Sequence, residues 1–106
     1  QIAAYNEKLQ SVAAANLNLA ASNFFKKILS ANITFTMSGA TSGQAHSFTL
    51  EIEGGNTYSV TWPVSFRWMN TTGSTIPPIL TSKHVISGYT IDGGASWRVW
   101  DNGSFV

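Results

Sequence analysis

The sequence predicts an all-β domain, an antiparallel β-sandwich of jelly-roll type, and three observations predict it. Apolar residues recur with period two through most of the chain beyond residue 32. Clusters of Gly, Asn, Ser and Pro separate the runs, and Thr and Ser fill the alternate positions. Strict alternation puts one face of a strand in a core and the other in water. Threonine on the wet face suits a pleated, half-buried surface.

The elements divide into an N-terminal segment, residues 1–15, and a single sandwich domain, residues 16–106. In the first segment Ile2, Tyr5, Leu9 and Val12 have the spacing of a helical seam, and the Ala content favours helix. The segment therefore reads as either an opening strand or a trimerising helix. "NLNL" and "NFFKKIL" alternate, with Leu17 and Leu19, then Phe25 and Leu29, on one side. "NITFTMS" directs Ile33, Phe35 and Met37 inward, and "HSFTLEIE" directs Phe48, Leu50 and Ile52. "GGN" (54–56) is short enough for a hairpin turn into "TYSVTW", whose inward residues are Tyr58, Val60 and Trp62. Pro63 ends that strand, because proline cannot donate to a central ladder. "SFRWM" (65–69) is a short strand with Phe66 and Trp68 inward, and 70–80 is a loop stiffened by Pro77-Pro78. "KHVISGYTI" (83–91) and "SWRVW" (96–100) are two strands joined by Asp92-Gly93-Gly94-Ala95.

Composition limits the function classes. With 106 residues the chain has room for one modest core. Charged residues are 10% and aromatics 12%, including four Trp, so the chain folds and its polar surface is mostly hydroxyl and amide. A formal net charge of +1, with Lys26, Lys27, Arg67 and Arg98 scattered, provides no basic stripe for nucleic acid. No apolar run approaches the roughly 18 residues of a membrane span, so no membrane insertion is expected. Zero cysteine removes disulfides, thiolate metal sites and thiol nucleophiles. Opening on Gln1 rather than Met is expected of a processed form or a part of something longer.

The candidate chemistry is thin. Asp92 and Asp101 lie in "DGG" and "DNG", and nothing in the sequence holds the two carboxyls at a catalytic separation. Asp92-Gly93-Gly94 reads as a turn, with Asp bonding its own backbone and Gly taking positive φ. His46 and His84 have no partner at metal-ligand spacing and read as partly exposed strand residues. There is no nucleophile elbow and no phosphate-cradling loop, so no catalytic residue, metal or cofactor is expected. Asn32, Asn70 and Asn102 open N-x-S/T triplets, which a chain rich in these residues produces by chance. Trp62, Trp68 and Trp97 have inward parity and read as core. Trp100 has the opposite parity and shares its face with Arg98, so this pair is the candidate binding feature, able to stack on a sugar ring or dock against another subunit.

The run "FTLEIEGGNTYSVTWPVSFRW…PPIL…YTIDGGASW" resembles a domain of bacteriophage tail-fibre and related virion-appendage proteins. The matching pieces are Asn32 to Phe35, Gly43 to Leu50, Thr61 to Pro63 with Trp68, Pro77-Pro78, and Tyr89 to Trp97. "NLNLAASNFFKKIL" is similar to the strand pair preceding them, which favours a strand in "YNEKLQSV". The sequence departs from the pattern in "MNTTGST" after Trp68 and in the ending "RVWDNGSFV". The resemblance implies a non-enzymatic virion structural β-sandwich. It implies a homotrimer that meets other virion proteins and builds a fibre or supports attachment to a host cell-surface glycan. The alternative function, carried by Arg98 and Trp100, is a carbohydrate-binding module.

Overall fold

Long apolar alternation in the last two-thirds of the chain produces its three longest strands, and these form the frame. In chain order the strands are β1 (Leu9–Ser11), β2 (Asn16–Asn18), β3 (Phe24–Ile28), β4 (Ile33–Thr34) and β5 (Thr36–Ser38), then β6 (Ser42–Glu53), β7 (Val60–Thr61), β8 (Phe66–Trp68), β9 (Lys83–Asp92) and β10 (Trp97–Ser104). The structure is a computed structural model and describes residues 9–11, 15–69 and 75–105. Among these there is no helix, and the chain is all-β. Leu9–Ser11 of the N-terminal segment is a strand. Residues 1–8 and 12–14, on which the choice between strand and trimerising helix also depends, lie outside the described residues, as do 70–74 of the expected loop.

The main sheet has six strands in the order β1-β3-β6-β9-β10-β8. A smaller second layer is built on the extended segment 33–38, which pairs in two directions. Its first part, β4, joins β7, with Phe35 N–H donating to Thr61 O at 2.9 Å. Its second part, β5, joins β2, with Thr36 N–H donating to Ala15 O at 3.0 Å. One segment thus carries a neighbour on each edge.

The sheet is mixed, where the sequence led to an expectation of antiparallel pairing. β6–β9 and β9–β10 are antiparallel. β1–β3, β3–β6, β8–β10 and both pairs of the second layer are parallel. The cause is the route of the chain. After β3 it leaves the main sheet, runs through β4 and β5 in the other layer, and returns as β6 beside β3 in the same direction. Parallel neighbours need such a crossover, and no hairpin turn can supply it.

Between the layers the inward positions meet as expected. Leu17, Phe35 and Trp62 of the small layer close on Phe25, Phe48, Leu50, Ile52, Phe66, Trp68, Ile86, Trp97 and Val99. Trp62 is the joint. It stacks on Phe35 within its own layer (ring centroids 5.3 Å) and meets Trp68 edge-on across the gap at 5.3 Å. Phe48 continues the aromatic contact to Trp97 at 5.5 Å, also edge-on. Both are preferred geometries of aromatic quadrupoles. Gly88 sits on the inward parity of β9 because nothing larger fits: a Cβ there would lie 2.6 Å from Arg98 O and 3.1 Å from the Phe48 ring.

Candidate functional site

The Asp92 turn is built as its residues require. Gly93 and Gly94 have φ of 72° and 88°, the left-handed region that glycine enters at no steric cost. Ala95 N–H donates to Asp92 O at 3.4 Å. The Asp92 carboxylate caps the turn, taking the Ser96 N–H at 3.0 Å and the Ser96 hydroxyl at 2.8 Å. Beneath it the fully buried Thr90 hydroxyl lies 2.8 Å from both Asp92 Oδ1 and Ser96 O, and accepts the Gly94 N–H at 3.1 Å. Bonds from the Ser96 N–H, the Ser96 hydroxyl and the Thr90 hydroxyl stabilise the ionised form. Partial desolvation opposes them and Arg98 adds slightly, so the Asp92 pKa is lowered from 3.8 to about 2. A carboxylate so held is a turn anchor, and it is anionic at any ordinary pH.

Asp101 is far along β10 and meets a different partner. It contacts His84 Nε2 directly and accepts the Gly103 N–H at 2.8 Å. His84 departs from the partly exposed residue expected of it: it is 4% exposed, on the inward parity of β9. Its Nδ1 faces the Thr81 N–H at 3.4 Å and the Thr81 hydroxyl at 3.2 Å, while that hydroxyl also lies 3.2 Å from Lys83 O. The order hydroxyl, imidazole, carboxylate is that of an activated nucleophile. Here the imidazole is buried while Thr81 is exposed, and the array links the start of β9 to the end of β10. His46, on β6, is half-buried and accepts the Thr41 N–H on Nε2 at 3.0 Å, just ahead of its own strand. Among the described residues no three His, Cys, Asp or Glu side chains come together to hold a metal, and no buried side-chain polar atom lacks a partner.

The outer face of β9, β10 and β8 holds the remaining candidates. Trp97 and Val99 are buried, so Arg98 and Trp100 between and after them face away from the core, half-buried. The structure brings the two together through a residue the sequence reading did not single out. Tyr89, 38% exposed, is the register partner of Arg98 on β9. The Arg98 guanidinium lies over its ring, 5.9 Å from the centroid, and Trp100 stacks on it at 5.7 Å with an interplanar angle of 24°. Arg67, exposed on β8, is the register partner of Arg98 on the other side. The face therefore carries an aromatic pair with the Arg98 guanidinium over it, and Arg67 next to Arg98 in register, its guanidinium bonded to the carbonyls of Val64 and Phe66. Trp62, Trp68 and Trp97 contribute nothing to it, being in the core.

Comparison with protein-family models, curated proteins and solved structures finds no match to this chain.

Proposed function

We propose that this chain is a non-enzymatic structural domain of a bacteriophage appendage, a β-sandwich that assembles as a homotrimer in the virion, contacts other virion proteins and contributes to a fibre or to host attachment. One observation carries the reading: the residues of the sequence resemblance are spent on shape. Trp62, Trp68 and Trp97 pack the core, and Asp92, Gly93 and Gly94 turn the chain. A motif made of packing and turn residues describes a building block, not a reaction centre.

Association has a surface to use. Val64 is 94% exposed and Ile79 92%, and Met69 and Ile76 are also open to solvent. Val64 lines a groove of about 450 Å³ with Trp62, Pro63, Phe66, Trp68 and Pro77. Exposed apolar side chains and an apolar groove favour contact with another chain, and closed symmetry is the usual form of that contact in homo-oligomers.

Light scattering on a size-exclusion column tests the assembly. The expected mass is near three times 11.4 kDa, and Val64→Asp with Ile79→Asp should shift it to one. A wild-type chain that stays monomeric at high micromolar concentration overturns the trimer.

A further inference from the structure

Both arginines of the chain, Arg67 and Arg98, are register partners across the parallel pair β8 and β10. Adjacent strands lie about 4.8 Å apart, so two cationic stems leave the outer face side by side. Like charges directly opposite on a sheet destabilise it, and among the described residues no carboxylate lies within ion-pair distance of either arginine, Asp92 attracting Arg98 only weakly. Arg67 donates to the carbonyls of Val64 at 2.7 Å and Phe66 at 3.0 Å, and Arg98 to Ser96 Oγ at 3.2 Å. The outward acids Glu51 and Glu53 share this face but stand toward its β3 edge, where they pair with Lys26, 3.4 and 3.7 Å from its ammonium. Asp92 has both oxygens engaged in its own turn.

Next to the arginines stands the Tyr89–Trp100 column, and the row that Trp100 shares is polar. Its register partner is Ser87, whose hydroxyl accepts the Asn102 amide at 2.7 Å. A guanidinium pair selects a carboxylate or sulfate, which its planar forks can bind in two places at once. An aromatic face selects a flat apolar surface. Hydroxyls and amides beside them select further hydroxyls. One ligand class has all three features. We infer that the outer face of β8, β9 and β10 binds an acidic carbohydrate, with Arg67 and Arg98 on its anionic group and Tyr89 and Trp100 against the C–H face of its ring. Nucleic acid fits less well, since two arginines on a chain of net charge +1 make no track for a polyanion. The inference does not rest on trimer assembly, because every residue it uses comes from one chain.

Titration of the intrinsic Trp fluorescence, checked by calorimetry, tests it with four probes: tetragalacturonate, a heparin-derived tetrasaccharide, neutral maltotetraose and a short single-stranded DNA. Saturable binding of either acidic tetrasaccharide, absent with maltotetraose and weakened by salt, is the expected result. Arg98→Gln and Trp100→Ala should each weaken it by about tenfold or more. Arg67→Lys, which keeps the charge but loses the fork, should weaken it less than Arg67→Gln. All four substitutions are on the solvent side of the sheet, and a retained single cooperative urea transition, with the variant folded under the binding conditions, will certify their folding. No saturation by either acidic probe at millimolar concentration overturns the inference. So does binding that the folded variants leave intact, or a preference for the DNA.

Discussion

The two faces of the β9–β10 hairpin use the same residue types for opposite purposes. On the inner face Trp97 is 1% exposed, edge-on to Phe48 and tilted against Phe66. On the outer face Trp100, three residues on, stacks on a Tyr that is open to water and stands near the only two arginines. The inner indole is almost wholly removed from solvent. The outer one leaves part of its surface available. The difference teaches that tryptophan content says little about this chain until parity sorts it: three are structural and one faces outward.

The largest effect that would break this contrast is at the first of the pair. Trp97→Ala removes a filled core position and is expected to cost about 3–5 kcal/mol, a large share of the roughly 5–15 kcal/mol that holds a domain together. Trp100→Ala loses one partly exposed aromatic pair and should cost no more than about 1.5 kcal/mol. Urea denaturation of the two variants measures both, and similar costs would show that the faces are not distinct in packing.

Gly88→Ala sharpens the same contrast from the backbone side. Its Cβ would meet Arg98 O at 2.6 Å and Val99 Cα at 3.1 Å, so the two strands must move apart. The expected loss is about 1–3 kcal/mol. The equivalent change on the outer face, Ser87→Ala, should be nearly neutral. Thermal melts of the two variants compare them, and a neutral Gly88→Ala would mean that the hairpin has slack beneath it.

The smallest effect is confined to acid. Asp92 has a folded pKa of about 2 against an unfolded value near 3.8, so it binds its proton less readily when folded. Its stabilising contribution is fully present above the unfolded value and is lost as pH falls from about 4 through 2. Wild type should exceed Asp92→Asn in stability at pH 6, and the gap should narrow over that interval. A gap that is the same at pH 6 and pH 2.5 would show that the ionised carboxylate is not what holds the turn.

Much of the outer site could be read in the sequence, and one half could not. The four-residue turn sets the register: counting back three from Asp92 and forward three from Ala95 places Tyr89 opposite Arg98, as in the structure. Period two then places Trp100 beside them, diagonal across the strands. Arg67 carries no such signal. It reaches Arg98 only because β8 lies parallel to β10 on the far edge of the sheet. The same count from the turn places Asp101 opposite Ile86, on one face with His84 and diagonal to it, but the burial of that imidazole and its direct contact with the carboxylate are visible only in the structure.

The amino-acid sequence by itself therefore determined the all-β class, the inward and outward parity of β10 and of the second half of β6, and the Asp92 turn. These follow from side-chain alternation and from backbone conformations that only glycine adopts easily. The tertiary structure alone decided the mixed direction of the sheet, the double pairing of residues 33–38 and the meeting of the two arginines. Hairpin register is local and is imposed by the turn. Parallel partners are separated by intervening strands, and closing the chain between them is opposed by loop entropy until the two layers bury their faces together.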